Sequence, residues 1–331
     1  MKIVFMGTPE FSVGALESLI EAGHEIVLVV TQPDRPKGRG KELQITPVKN
    51  VAIKYNIPVF QPVKIREESA LSELRKYQAD VMVVIAFGQI LPKAVLEMAP
   101  YGCINVHASL LPAYRGAAPI QWCIINGDKV TGITTMQMDE GLDTGDMILK
   151  EEIPISREET ATSLHDKLAK IGASLCVKTL REIEKGTATF EKQKETTTEY
   201  AKMLTKEMGR IDWKKSAIEI ERWIRGLNSW PGAYTYLKDK ELKIWRGRVM
   251  EDDETQRILD QGAETCCCQR NSSRQVICPA GEIVKVGKNT IIIQTGKGQL
   301  EILEIQLSGK KKMTIDAFLR GNKLKAGEIF N

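Results

Sequence analysis

The first 150 residues alternate short apolar runs with amphipathic stretches, and this rhythm limits the chain to a helix-covered parallel sheet. Lys2-Ile3-Val4-Phe5-Met6 is the first run. Thr8 offers an N-cap and Pro9 a first helical position, after which Phe11, Val13, Leu16, Leu19 and Ile20 recur at helical spacing up to Gly23. Glu25–Val30 reads as a second strand. Thr46-Pro47 repeats the cap-plus-proline start, and Pro58-Val59-Phe60 is a third strand. Residues 66–77 and 91–98 read as helices, and 102–107 as another strand. The run Asp80-Val-Met-Val-Val-Ile-Ala86 is apolar without alternation, as a strand buried on both faces must be. The spacing predicts an α/β fold with a doubly wound, mostly parallel sheet. Ligands of such sheets sit beyond the carboxyl ends of the strands.

The pattern changes in the second half. Residues 163–185 form a long amphipathic stretch closed by Gly186, and a segment rich in Thr, Lys and Glu follows. A helix over 216–227 comes next, then short β-branched runs at 233–237, 242–249, 276–286, 290–294 and 299–306, and a last helix over 314–320. Close-set short strands predict a small, OB-like β-barrel. The expected organisation is a catalytic domain over 1–189, a linker over 190–206 and a C-terminal β-barrel domain over 207–331.

Composition narrows the class. No apolar run approaches the roughly 18 residues of a membrane helix, and the apolar start breaks at Gly7-Thr8-Pro9-Glu10. A cytoplasmic protein is expected. Cys103, Cys123 and Cys176 stand alone in apolar settings. Cys266-Cys267-Cys268 with Cys278 lacks the spacing of a metal clip, so no metal is expected. Residues 1–190 carry 21 Lys/Arg against 23 Asp/Glu, a net of −2, whereas 191–331 carry 26 against 20, a net of +6. The basic second half suits a polyanionic partner.

Three polar residues suggest chemistry. Asn105 and His107 lie two apart at the end of an apolar strand, so period two puts both on one face. Asp143 sits in the glycine-flanked turn Asp139-Glu140-Gly141-Leu142-Asp143-Thr144-Gly145, after the alternating stretch 132–138. A carboxylate delivered there can hold an imidazole, and an amide beside it can take up a developing oxyanion. A buried histidine beside an ordinary turn would read the same way, so the pair alone leaves both readings open.

The surrounding residues carry a resemblance. Asn105-Val106-His107-Ala108-Ser109-Leu110-Leu111-Pro112-Ala113-Tyr114-Arg115-Gly116-Ala117-Ala118-Pro119-Ile120 resembles the core of folate-dependent formyltransferases. So does Gly132-Ile133-Thr134-Thr135-Met136-Gln137-Met138 with the turn that follows it. The resemblance implies that Asn105, His107 and Asp143 are the catalytic trio and that Ser109, Leu110, Leu111 and Pro112 contact the folate. It places Phe87, Gly88 and Ile90 at the pterin pocket. The formyl donor it implies is 10-formyltetrahydrofolate.

Within that family, Thr31-Gln32-Pro33-Asp34-Arg35-Pro36-Lys37-Gly38-Arg39-Gly40-Lys41 resembles the insertion loop of the branch that formylates initiator methionyl-tRNA. Arg35, Lys37, Arg39 and Lys41 are then expected to grip the acceptor end, with Lys215, Lys243 and Arg246 adding contacts from the second domain. Trp213-Lys214-Lys215 and Asn228-Ser229-Trp230-Pro231-Gly232-Ala233-Tyr234 resemble the family's carboxy-terminal barrel, so the likeness spans nearly the whole chain. A monomer is expected. A sugar-nucleotide formyltransferase is the competing reading. A dinucleotide-binding dehydrogenase is disfavoured, because Gly7-Thr8-Pro9-Glu10-Phe11-Ser12 lacks the G-x-G-x-x-G turn.

Overall fold

The computed structural model describes residues 1–331 apart from 38–41, 197, 251–263 and 266–277. The chain divides into two compact units. The first holds Met1–Ile120, Lys129–Ile155 and Ser163–Lys202; the second holds Gln121–Asp128, Ser156–Thr162 and Met203–Asn331.

The first unit is built on β1 (Lys2–Gly7), α1 (Val13–Glu21), β2 (Glu25–Val30), β3 (Arg35–Lys37), β4 (Glu42–Gln44), α2 (Pro47–Lys54) and β5 (Val59–Phe60). It continues through α3 (Glu68–Leu74), β6 (Val81–Ile85), α4 (Lys93–Leu96) and β7 (Cys103–His107). Beyond α5 (Pro119–Asn126) come β8 (Val130–Gln137), β9 (Met147–Pro154) and α6 (Ala161–Glu184). The main sheet runs β5-β2-β1-β6-β7-β8-β9. Its first five strands are parallel, and β8 runs antiparallel to both β7 and β9. All five residues of β6 and all five of β7 are buried, so both strands lie in the middle of the sheet with no solvent face.

Helix starts follow the local chemistry, with one exception. Thr46 caps α2 by accepting the Lys49 N–H, and Pro47 takes a first-turn position. Thr8 does not cap α1. Its hydroxyl donates to Phe87 O at 3.0 Å and accepts the Gln32 N–H, tying the ends of β1, β2 and β6 together. A 3-10 turn over Glu10–Ser12 precedes α1 instead. The expected helices over 66–77 and 91–98 are also shorter, ending as α3 and α4.

The second unit packs α7 (Ala217–Gly226) against an antiparallel sheet. Its strands are β10 (Ala233–Leu237), β11 (Lys240–Val249), β12 (Glu264–Thr265), β13 (Ile283–Val286), β14 (Ile291–Gln294), β15 (Gln299–Leu307) and β16 (Met313–Thr314). The final helix is α8 (Ile315–Gly321). The order is β10-β11-β15-β14-β13-β12, with β16 on β15. Among the described residues no ladder joins β10 to β12, yet strands and helices bury one shared core. Trp213, Ile220, Leu242, Ile293, Ile302 and Phe318 lie in it. A capping box fixes the start of α7, with Ser216 and Glu219 satisfying one another's backbone N–H groups.

Candidate active site

β7 delivers Asn105 and His107. Asn105 lies opposite Val84 on β6 and Met136 on β8, and His107 opposite Thr134. Both are buried, 8% and 6% exposed. His107 Nε2 lies 3.0 Å from Tyr114 O. A carbonyl only accepts, so Nε2 carries a proton and Nδ1 is the nitrogen left for chemistry. Nδ1 faces the Asp143 carboxylate at 3.7 Å. The Asn105 side chain has no hydrogen-bond partner among the described residues, which leaves its amide free to donate.

Asp143 is held from several sides. Its Oδ2 accepts the Gly116 N–H at 2.9 Å. Its own backbone has φ +54, and Tyr114 has φ +57. Non-glycine residues persist in that region only where their surroundings hold them there. Asp139 Oδ1 accepts from Gly141 N and the Thr144 hydroxyl, closing the turn that presents Asp143. A Cβ on Gly145 would stand 1.8 Å from Gln137 O, so only glycine permits the close return.

The segment after His107 is anchored by Thr134. Its hydroxyl donates to Ser109 O at 2.7 Å and accepts from Leu111 N at 3.0 Å. Ser109 and Leu111 are each 1% exposed. The Ser109 hydroxyl donates to Ala113 O, and Leu111 packs with Met136 and Met147. Those two side chains therefore face the core, which leaves their remaining backbone groups for any ligand contact. Leu110 and Pro112 are half-buried and reachable. In the other predicted stretch, Phe87 is buried while Ile90 is 74% exposed. Gly88, at φ +89, lines a cavity of about 460 Å³ with Thr8, Gln32, Arg35 and Thr46.

The expected linker is part of this site. Residues 190–202 belong to the first unit and run along it. Glu191 and Met147 exchange two backbone hydrogen bonds, and Ala201 pairs with the chain at Arg115 and Ala117. Thr198 accepts the Tyr114 N–H at 2.7 Å. Gln193 donates to Asp143 O and Gly145 O, each at 2.8 Å, and accepts from Arg115 Nε at 2.9 Å. Tyr114, Gly116, Gln193 and Thr198 carry no signal of these roles in the sequence, because each depends on a contact far along the chain.

The basic residues are distributed over both units. Arg35 is exposed on β3, which pairs with β4 in register Arg35↔Gln44. Lys37 stands opposite Glu42 at the end of that pairing. The calls on Arg39 and Lys41 lie outside the described residues, as does that on Cys266–Cys268. The base of the hairpin is a polar network: Lys49 Nζ bonds Asp34 and Gln61, and Gln61 Nε2 donates to Asp34 Oδ1 and Gln32 O. Lys49 first and Gln61 second hold the Asp34 carboxyl below the usual carboxylate range. In the second unit Lys215 is exposed over the Trp223 ring, 5.2 Å from its centroid. Arg246 is exposed beside Glu158, while Lys243 Nζ donates to Pro231 O at 3.1 Å.

Among the described residues Cys103, Cys123, Cys176 and Cys278 are buried, and burial pushes the Cys103 and Cys176 thiols up to about 12. Among the described residues no three His, Cys, Asp or Glu come together as a metal site. None of the described helices is long and apolar enough to cross a membrane.

Comparison with known proteins bears on this geometry. Residues 1–180 match the formyl transferase family, and residues 203–323 match the formyl transferase C-terminal domain. The chain is 53% identical over 330 residues to the methionyl-tRNA formyltransferase of Agathobacter rectalis, covering 100% of this chain and 99% of that protein. It is 51% identical over 327 residues to that of Lachnospira eligens, covering 99% and 98%. Among solved structures, the N-formyltransferase from Helicobacter canadensis, in complex with folinic acid and dTDP-3-aminofucose, superposes with a TM-score of 0.62 at 18% identity. That match covers 95% of this chain and 100% of the other. HypX from Aquifex aeolicus in complex with tetrahydrofolic acid gives 0.59 at 16%, covering 99% of this chain and 50% of that one. At such identities these two structures share the fold alone.

Proposed function

The chain belongs to the formyl transferase family, and from that premise we propose how its residues carry out the reaction. It transfers the formyl group of 10-formyltetrahydrofolate to the amino group of methionyl initiator tRNA, for initiation of translation. The observation that carries this is full-length identity of about half to methionyl-tRNA formyltransferases, spanning both units. Asn105, His107 and Asp143, gathered at the end of β7, fit the chemistry.

The methionyl amine attacks the formyl carbon and leaves negative charge on the formyl oxygen. Asn105, with its amide free of partners among the described residues, donates to that oxygen. Asp143 lies opposite His107 Nδ1, and the other ring nitrogen already donates to Tyr114 O. The pair takes the proton that the attacking amine loses and returns it to the folate nitrogen, which must be protonated to leave. Half-buried Leu110 and Pro112, with exposed Gly88 and Ile90, supply the folate contacts in this reading. Arg35, Lys37, Arg39, Lys41, Lys215, Lys243 and Arg246 bind tRNA phosphates. The protein works as a cytoplasmic monomer in the same reading.

Steady-state formylation tests the assignment. Charged initiator tRNA should accept the formyl group, while glycinamide ribonucleotide and an amino-sugar nucleotide should not. Preference for either small acceptor would replace the tRNA reading with a small-molecule formyltransferase.

A further inference from the structure

We propose that Gln193 is a positioning residue for catalysis, holding the Asp143 turn against the 114–116 segment so that carboxylate and imidazole stay opposed. The proposal rests on the reading of Asp143 as part of the catalytic trio.

Asp143 and His107 are not joined directly by a hydrogen bond. Each is fixed instead to one short segment: His107 Nε2 to Tyr114 O, and Asp143 Oδ2 to Gly116 N. Their opposition therefore depends on the 114–116 segment keeping its place relative to the 139–145 turn. Beyond the Asp143–Gly116 bond, the Gln193 side chain ties the two together. Its Nε2 donates to Asp143 O and Gly145 O on the turn, and its Oε1 accepts from Arg115 Nε on the segment. Arg115 Nη2 adds a contact to Lys194 O. Thr198 and Ala201 hold the same segment from the far side, through Tyr114 N and the backbone around Gly116.

An amide is the one neutral group that performs this task. It offers two N–H donors to two carbonyls and one acceptor to a guanidinium. A carboxylate would keep the Arg115 contact and place oxygen against both carbonyls. A leucine of similar size would lose both sides. Misplacement by an ångström costs on the order of 10²-fold in rate where a catalytic group must be aligned.

The test is a double-mutant cycle in steady-state formylation, with parent, Asp143→Asn, Gln193→Leu and the double variant, and thermal unfolding of each. Gln193→Leu should lower kcat by roughly ten-fold or more while KM for charged tRNA and for the folate stays within about two-fold. In the Asp143→Asn background the same change should cost less than about two-fold, because the group it positions is gone. Gln193→Glu, which keeps the Arg115 contact, should be as slow as Gln193→Leu; activity near the parent's would overturn the donor role. Equal losses in both backgrounds would make Gln193 an ordinary structural residue. A damaging Asp143→Asn beside a harmless Gln193→Leu removes the proposal alone. A harmless Asp143→Asn removes the catalytic reading and the proposal with it. If Gln193→Leu does not fold, the Gln193→Glu arm of the same cycle decides.

Discussion

His107 Nδ1 and the Asp143 carboxylate stand 3.7 Å apart, an ion-pair separation and not a hydrogen bond. In the proposed mechanism Asp143 acts on the imidazole through charge, while the Gly116 N–H holds the carboxylate itself. Replacing Asp143 by Asn keeps the shape and removes the charge. Turnover should fall by roughly 10²-fold or more, with binding of a non-reactive folate analogue nearly unchanged. Turnover within a few-fold of the parent would take Asp143 out of the mechanism.

Gly116 has φ +125, and a Cβ there would meet Ala201 O at 2.7 Å and the Tyr200 ring at 2.8 Å. Gly116→Ala must push the chain away from 200–201 and carry its N–H off the Asp143 carboxylate. A loss of kcat together with a lowered unfolding temperature is expected. A variant as stable and as fast as the parent would show that the segment yields without moving Asp143.

Leu110 and Leu111 should separate binding from stability. Leu110→Glu places charge at a half-buried position beside the proposed folate site, so titration with the folate analogue should show weakened binding in a folded protein. Leu111→Ala should instead lower stability by roughly 2–5 kcal/mol, because its side chain is packed with Met136 and Met147. Unchanged affinity in Leu110→Glu would move the pocket elsewhere.

The hairpin base makes a pH prediction. Asp34 has a lowered folded-state pKa, through Lys49 first and Gln61 second. Its contribution to stability is thus present above the unfolded carboxyl value and is lost as pH falls through the lower, folded one. A carbon-13 titration of the Asp34 carboxyl should give a midpoint below the ordinary 3.8. Lys49→Met should return that midpoint upward. An ordinary midpoint in the parent would mean that the network does not persist in solution.

Arg39→Ala should raise KM for charged tRNA, with a shallower dependence of KM on salt than the parent shows, and leave KM for the folate almost untouched. Arg39→Lys should rescue it in part, since a point charge cannot reproduce a planar fork. A defect confined to the folate would sink the loop assignment.

How much of this was legible depended on how local the cause was. The strands of the main sheet show as uninterrupted apolar runs, and period two alone put Asn105 and His107 on one face. Thr46-Pro47 announced α2 because capping is settled within four residues. Thr8-Pro9 gave the same signal and misled, because the Thr8 hydroxyl bonds Phe87 O, 79 positions away. Residues 190–206, of which 190–202 belong to the first unit, read as a linker since Thr, Lys and Glu without apolar period look solvated. Their order comes from backbone pairing with Met147, Arg115 and Ala117 and from the Gln193 amide, none of which leaves a hydrophobic trace. The short β3–β4 pairing was hidden likewise, Arg-Pro-Lys and Glu-Leu-Gln having no alternation to read.

In the proposed mechanism Asn105, with His107 and Asp143, moves a formyl group onto the amine of methionyl-tRNA. A single turnover with enzyme in excess, following a radiolabelled formyl carbon from 10-formyltetrahydrofolate, tests it most directly. The parent should place the label on the methionyl amine of charged initiator tRNA, and Asn105→Ala should slow that step by roughly 10²-fold or more. Label arriving at the parent's rate with Asn105→Ala, or reaching glycinamide ribonucleotide or an amino sugar faster than the tRNA, would contradict the account.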